Sequence, residues 1–260
     1  MNTITKWILI AAMSFSTSVF ANSSSMDLSD TWWNATEAGW GVNINHQQDT
    51  IFLTFFLYGP GGRGAWYTGQ ATRRGATGRG AIIFAGDVNE FNGPANGTAF
   101  NPASVTGRKV GTVTFTAFLD SATLSYSING VDVEKVVTRQ TFRINDPSGR
   151  YVGVAKTTQS LCSPPYANGE FTNSVNLSVT TTATTFSMAT QKSDGVACQY
   201  VGTYVQTGRY ARSKGTYSCT GGLIGKYDAF SIEASPISIS GEIFESGNLC
   251  DAVGSFVGLK

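Results

Sequence analysis

Apolar and polar residues alternate with a period of two along much of this chain, and that pattern limits the folds open to it. The alternation is clearest over residues 112–118, where Val113, Phe115 and Ala117 fall on one face and threonines on the other. A strand with this pattern buries one face and leaves the other in water. After residue 21 no stretch repeats apolar residues with helical spacing. The sequence therefore predicts an all-β protein built from antiparallel strands.

The first half of the chain predicts an antiparallel meander. Asn129-Gly130 is a dipeptide preferred where both central residues of a hairpin turn need positive φ, so it marks one of the turns. The stretch 89–102 is rich in Gly, Asn and Pro and predicts a long surface loop. The candidate strands are residues 41–46, 51–58, 64–71, 80–85, 112–118, 122–128 and 131–139.

The second half predicts a small eight-stranded up-and-down barrel. Its candidate strands are regularly spaced, which is typical of a sandwich or a barrel. Residues 148–153 and 254–258 share a small-aromatic-Val-Gly pattern, and closure of a barrel by its first and last strands removes exposed edges. The candidate strands are residues 150–156, 173–180, 184–190, 198–206, 209–219, 229–233, 238–244 and 252–259.

Three segments are predicted along the chain. Residues 1–21 combine a positive charge, a short apolar run and a small-residue cleavage site, which is the pattern of a secretory signal peptide. An aromatic-rich β module covers residues 30–144, and a disulfide-bridged β-barrel module covers residues 148–260. Export is therefore expected, either to the periplasm or to the external medium.

All four cysteines lie in the second module. Even-numbered cysteines in an exported chain usually pair, whereas structural zinc sites favour closely spaced ligands that these cysteines do not provide. Two disulfides and no metal are expected. A Cys198–Cys219 bridge would staple one hairpin and a Cys162–Cys250 bridge would tie the closing strands, although four cysteines allow three arrangements.

The charge balance argues against a nucleic-acid partner and against a polybasic lipid-binding surface. No membrane insertion is expected either, because the apolar run of residues 7–20 is shorter than a transmembrane span and is interrupted by serines and a threonine. The chain has 18 Lys and Arg and 17 Asp and Glu, and loss of residues 1–21 would remove Lys6 and no acid. Binding to phosphates or anionic lipids needs clustered Lys or Arg. The nearest cluster, Arg73, Arg74 and Arg79, is interpreted as a solvated loop. No cofactor motif is present either.

Four of the five tryptophans lie between Thr31 and Trp66. Rigid aromatic rings beside polar groups can stack on sugars or anchor a protein partner. The alternative is that these rings plug one end of a barrel, although a small module rarely buries so many completely. The candidate ligand-binding residues are Trp32, Trp33, Glu37, Trp40, Trp66 and Tyr67.

Glu37 is the acid within this tryptophan-rich tract. Its carboxylate could have a raised pKa, bind a ligand hydroxyl, or accept indole and backbone donors. A glycosidase would need a second carboxylate about 5 to 10 Å away, and Asp49, Asp87 and Glu90 are unplaced candidates. His46 lies on a predicted strand, where a structural role is expected. No catalytic residue is assigned.

A resemblance is carried by residues 32–41, which read Trp-Trp-Asn-x-x-Glu-x-Gly-Trp-Gly, and by the strands and the 127–140 hairpin that follow. These features are similar to a β module of exported bacterial proteins and cover the first half of the chain. Ala35 and Ala38 depart from the Pro and Ser expected in such relatives. The resemblance implies export and modularity, and it implies no substrate.

The residues together favour an exported, non-catalytic binding protein that recognises carbohydrate or cell-envelope glycan through its tryptophan cluster. Two alternatives are a small hydrophobic ligand inside the second barrel and inhibition of another exported protein. The third hypothesis is a secreted hydrolase that uses Glu37.

Overall fold

The computed structural model describes residues 26–77, 80–163 and 167–260. The predicted signal peptide lies outside these ranges. Within them the chain folds into two antiparallel β-barrels joined by a short segment. The prediction of an all-β fold is confirmed.

The first barrel contains the strands β1 (Asp30–Trp33), β2 (Gly41–Gln47), β3 (Thr50–Tyr58), β4 (Gly64–Ala76), β5 (Ile82–Asn92), β6 (Thr106–Ala117), β7 (Ser121–Ile128) and β8 (Val131–Arg139). Each strand pairs with the next, and β1 also pairs with β8, where Trp32 lies opposite Arg139. The sheet therefore closes. A meander was predicted here, but its closure into a barrel was not.

The second barrel contains the strands β9 (Gly149–Ser160), β10 (Gly169–Thr181), β11 (Thr185–Lys192), β12 (Ala197–Thr203), β13 (Val205–Thr207), β14 (Tyr210–Cys219), β15 (Ile224–Ala234), β16 (Ser238–Gly247) and β17 (Asp251–Leu259). The short β13 continues the course of β12, and both pair with β14. The first and last strands, β9 and β17, pair along their length. The predicted up-and-down barrel, closed by these two strands, is confirmed.

Two local predictions in the first half were wrong. Residues 89–92 were assigned to a surface loop, but they extend β5, and Asn92 lies opposite Thr106 of β6. Arg73 and Arg74 were also assigned to a loop, and they belong to β4. Cross-strand pairing can hold polar residues in a strand that their own propensities would not favour, and Glu90 pairs with Arg108 at 2.7 Å.

Each barrel is filled by its own hydrophobic core. In the first, the ring of Trp32 meets the ring of Phe115 edge-on, with 5.2 Å between centroids. In the second, Tyr200 stacks on Tyr217 and donates a hydrogen bond of 2.6 Å to Glu245. Burial raises the pKa of Glu245. The small cavity beside this carboxylate measures about 30 Å³, room for about one water.

Both disulfides form within the second module, and the pairing is Cys162–Cys250 and Cys198–Cys219. The predicted pairs are therefore confirmed. Cys198 lies directly opposite Cys219 on β12 and β14. The Cys162–Cys250 bridge adjoins the point where β9 ends and β17 begins, with Ser160 opposite Asp251.

The two barrels meet around Arg139, which is almost fully buried. Its guanidinium carbon lies 4.5 Å from the ring centroid of Trp32 and 5.0 Å from that of Tyr210 on the second barrel. The tip of the β13–β14 hairpin fits against this group. A Cβ on Gly208 would lie only 2.6 Å from the Cβ of Arg139 and from Asp30 Oδ2, so the close approach requires glycine.

Ion pairs also cross this junction. Arg209 of the second barrel binds Asp27, and Arg212 binds both Asp120 of the first barrel and Asp228 of its own. Burial raises the pKa of Asp27 and of Asp228, but hydrogen bonds and the arginine charges outweigh burial, so both pKa values are lowered. The junction is therefore sensitive to acid.

We expect acid to destabilise the protein partly through these two carboxylates. A carboxylate whose pKa is lowered in the folded state stabilises the protein at pH values above its unfolded-state pKa of about 3.9. That stabilisation is lost as the pH falls through the folded-state pKa. Thermal melts between pH 7 and pH 2 should show a shallower acid dependence for an Asp27→Asn/Asp228→Asn variant than for the wild type. Identical slopes would contradict this assignment.

Candidate ligand-binding cup in the first barrel

The loops at one end of the first barrel surround an open cavity of about 490 Å³, here called the cup. These are the β1–β2 loop (residues 34–40), the β3–β4 loop (residues 59–63) and the β7–β8 turn. The opposite end faces the second barrel. Small-molecule sites commonly measure about 300 to 1,000 Å³ and combine apolar walls with a few polar groups. The cup is lined by aromatic and aliphatic side chains, with Glu37, Asn129 and Lys135 supplying charge and amide groups.

The β1–β2 loop is organised by Asn34. Its side-chain Oδ1 accepts hydrogen bonds from the backbone N–H and the hydroxyl of Thr36, at 2.9 and 2.8 Å. Its carbonyl accepts from the backbone N–H of Glu37 at 3.0 Å. Asn side chains commonly stabilise turns in this way. The loop therefore carries Glu37 to the rim of the cup.

Gly39 and the β7–β8 turn have backbone conformations that bring the rim of the cup together. Gly39 has φ of 113°, and a Cβ there would lie 2.9 Å from the hydroxyl oxygen of Tyr58. Asn129 and Gly130 have φ of 51° and 81°, as predicted for the hairpin. These residues let the loop and the turn come close to the strand ends.

Glu37 is held by two partners. The indole Nε1 of Trp40 donates to Glu37 Oε2 at 3.2 Å, and Lys135 Nζ lies 2.9 Å from Oε1. The hydrogen bond from Lys135, together with its charge, lowers the pKa of Glu37. Of the roles considered for this carboxylate, an indole donor is present, and the lowered pKa argues against a raised one.

Three tyrosines supply hydroxyl groups to the cup, namely Tyr58, Tyr67 and Tyr126. Burial and the charge of Glu37 raise the pKa of Tyr126, so its hydroxyl stays protonated near neutral pH. Its ring packs on Phe55, with 5.4 Å between centroids. In the described part of the chain, none of the three hydroxyls has a hydrogen-bond partner. They can donate to and accept from a ligand.

The six predicted site residues do not form one platform. Glu37, Trp40 and Tyr67 come together in the cup. Trp32 is fully buried inside the barrel, where its Nε1 donates to the carbonyl of Leu28 at 3.0 Å. Trp32 therefore belongs to the core. Because successive residues of a strand point to opposite faces, its neighbour Trp33 points away from the core.

Trp33 and Trp66 lie on the outside of the barrel. Trp33 is adjacent to the buried Trp32 in β1 and points the other way. Trp66 is 53% exposed on β4 and lies opposite Phe56 of β3. Neither tryptophan lines the cup.

Sequence reasoning missed Lys135, Tyr58 and Tyr126 as cup residues. Lys135 is 98 positions from Glu37, and only closure of the barrel brings β8 to the β1–β2 loop. The sequence did contain one signal for Tyr58 and Tyr126. Both lie near the ends of strands, and the turns that follow those strands were predicted at the same end of the meander.

The hydrolase hypothesis gains no support from the cup. Among the described residues that line it, Glu37 is the sole carboxylate, and its lowered pKa is unsuited to a general acid. Asp87 pairs with Lys109 on β6, and Glu90 pairs with Arg108. Asp49 lies in the β2–β3 turn at the other end of the barrel.

The structure also bears on His46, on the second barrel as a ligand site, on metal binding and on membrane-spanning helices. His46 accepts a hydrogen bond from the backbone of Leu28 at 3.3 Å and packs edge-on against Phe84, which is a structural role. The second barrel has its own packed core, and an open cavity of about 790 Å³ is lined by residues of this barrel that include Tyr151, Leu177 and Cys198. A small hydrophobic ligand held by the second barrel therefore stays a prediction. Within the described ranges, no cluster of His, Cys, Asp and Glu could hold a metal ion. The same ranges contain no helix with the length and hydropathy of a membrane span.

The fold and the cup define a two-barrel β protein with an open aromatic cavity at one end. No family model matches the sequence, and no curated protein matches it. The solved structure of isotype 1 transferrin binding protein B from serogroup B Neisseria meningitidis is similar at 11% identity and a TM-score of 0.30, over 88% of this chain and 68% of that chain. So low a TM-score carries no argument about the ligand.

Proposed function

We propose that this protein is an exported binding protein whose cup holds a neutral carbohydrate, such as part of a cell-envelope glycan. The observation that carries the proposal is the composition of the cup. Aromatic rings from four segments of the chain surround an open cavity in which three tyrosine hydroxyls are free to bond. The two disulfides, which form in oxidising compartments, support export.

Stacking is the first contribution expected from the cup. Trp40 is partly buried at the rim and packs against the core, so its ring is held in place before a ligand arrives. A ring that is already ordered costs little conformational entropy on binding. The apolar face of a sugar ring can lie on such an indole, as aromatic side chains favour flat apolar contacts.

Hydrogen bonding is the second contribution. Sugar hydroxyls both donate and accept, and the tyrosine hydroxyls and the amide of Asn129 do the same. The charges of Glu37 and Lys135 cancel within their pair. The cup therefore presents no net charge, which favours a neutral ligand over an acidic or basic one.

A second candidate is a small amphipathic molecule in the same cup. The aliphatic side chains of Leu57, Ile128 and Val133 favour it, since they offer apolar contact away from the hydroxyls. A fatty acid would need its carboxylate near Lys135, which is already paired with Glu37.

Calorimetric titration of the purified protein with neutral oligosaccharides, peptidoglycan fragments and fatty acids tests the proposal. Trp40→Ala should weaken saccharide binding by about 30-fold, the scale of a buried aromatic anchor. Tyr58→Phe, which removes one exposed hydroxyl and nothing else, should weaken it by about 2- to 10-fold.

Phe142→Ala is the matched control, because Phe142 is 74% exposed and lies outside the cup. It should leave saccharide affinity unchanged. Saturable binding of fatty acids without saccharides would move the assignment to the second candidate. Saccharide affinity that is equal in all four proteins would overturn the cup as the site.

A further inference from the structure

The outer face of β1–β4 carries an exposed row of aromatic side chains, here called the aromatic wall. Register places Gly41 opposite Phe56 and Phe56 opposite Trp66. A Cβ on Gly41 would lie 3.9 Å from the Cβ of Trp33, so Trp33 is the next member of this row. Phe56 and Trp66 are each 53% exposed. Gly41, which has no side chain, is buried between Trp33 and Phe56.

The neighbouring row of the same face is polar and uncharged. Thr31, Asn43, Thr54 and Thr68 lie side by side across the four strands. Asn43 Nδ2 donates to the hydroxyl of Thr31 at 3.2 Å. This polar row runs parallel to the aromatic wall. Within the row, neighbouring residues are one strand spacing apart, about 4.8 Å.

No Asp, Glu, Lys or Arg occupies either row on β1–β4, within the described part of the chain. The aromatic row continues onto β8 and β7 with Thr138 and Ser121, which are also uncharged. Exposed apolar patches of this kind mark interaction sites. A hydroxyl-rich neutral ligand matches rings flanked by amides and hydroxyls, whereas an ionic partner finds no counter-charge here.

The wall is continuous with the cup through Tyr58. Tyr58 follows Phe56 by two positions on β3, so both side chains lie on the outer face, and Tyr58 also lines the cup. It is 63% exposed. A linear ligand can therefore pass from the cup over Tyr58 and onto the wall.

We infer that the aromatic wall is a second subsite for the same glycan, and that the ligand is a polysaccharide chain longer than the cup. This inference rests on the proposed function of the cup. One sugar ring occupies the cup, and the following rings lie against Phe56, Trp66 and Trp33. The neutral hydroxyl and amide row bonds to the edges of those rings.

The test compares cellohexaose and chitohexaose with the corresponding disaccharides, by calorimetry. A Phe56→Ala/Trp66→Ala variant should lose about tenfold or more in affinity for the hexasaccharide that binds, and little for its disaccharide. The matched control is Phe244→Ala/Val253→Ala. Those two side chains are also exposed cross-strand neighbours, but on the second barrel. The control should behave as the wild type.

Each outcome decides between the two sites. Hexasaccharide affinity that is unchanged in the wall variant would overturn the wall, whatever the cup variants do. Loss in the wall variant with full retention in Trp40→Ala would keep the wall as a glycan site, but it would overturn the cup and with it the path of the glycan from the cup to the wall. A wall variant that alters only self-association, measured by sedimentation, would assign the face to a second copy of the chain and overturn the inference.

Discussion

Replacing Cys162 and Cys250 with alanine is expected to lower the free energy of unfolding by about 4 to 5 kcal/mol. The bridge spans 88 positions, and a cross-link that closes a long loop removes more entropy from the unfolded chain than one that closes a short loop. It also joins the region where the first and last strands of the second barrel meet. Without it, the closing pair loses its covalent link at that end.

The Cys198–Cys219 bridge provides the comparison. It spans 21 positions, so the same relation gives a loss of about 3 kcal/mol for a Cys198→Ala/Cys219→Ala variant. Urea unfolding followed by far-ultraviolet circular dichroism measures both. A smaller loss for the longer loop than for the shorter one would contradict the chain-entropy explanation for this barrel.

Much of the second barrel could be predicted because its signals are local or repeated. Regular strand spacing predicted the number of strands, and the similar tracts 148–153 and 254–258 predicted which strands close the sheet. The Cys198–Cys219 pair followed from the position of one turn. These are short-range patterns, and each needs only the alternation of a strand and the residues that favour turns.

The first barrel could be predicted less well because its closure depends on a four-residue strand. β1 is too short to show a periodic pattern, and its partner β8 lies about a hundred positions away. The tryptophan tract was consequently read as one surface. Alternation in β1 instead sends Trp32 inward and Trp33 outward, while the loop that follows carries Trp40 to the rim.

The cup illustrates the same limit for a binding site. Residues near each other in sequence, Glu37 and Trp40, were identified together. Lys135 and Tyr126 were not, since their place beside Glu37 depends on the register of β7 and β8 around a closed sheet. Register is a long-range property, and a shift by one residue would turn every side chain to the other face.

Arg139 couples the two barrels, and its replacement should have the other large effect on stability. Its Nη2 donates to the carbonyl of Asp27 at 2.6 Å, and its Nη1 lies 3.4 Å from Asp30 Oδ2. Burial lowers the pKa of Arg139, and the charge of Asp30 opposes that effect. A buried ion pair that loses one partner leaves the other charge uncompensated, which costs about 3 to 5 kcal/mol.

Arg139→Ala should therefore lower the free energy of unfolding by about 3 to 5 kcal/mol, and it should also loosen the junction, because the guanidinium lies between the rings of Trp32 and Tyr210. The tryptophans of the described chain lie in the first barrel, so their fluorescence reports that barrel, whereas circular dichroism reports both. We expect the two denaturation curves to coincide in the wild type and to separate in Arg139→Ala.

Two further variants serve as controls. Arg139→Lys should be intermediate, since lysine keeps the charge without the planar group. Arg73→Ala, on the exposed part of β4, should change stability by less than about 0.5 kcal/mol. Wild-type stability in Arg139→Ala would mean that the barrels fold independently of this contact.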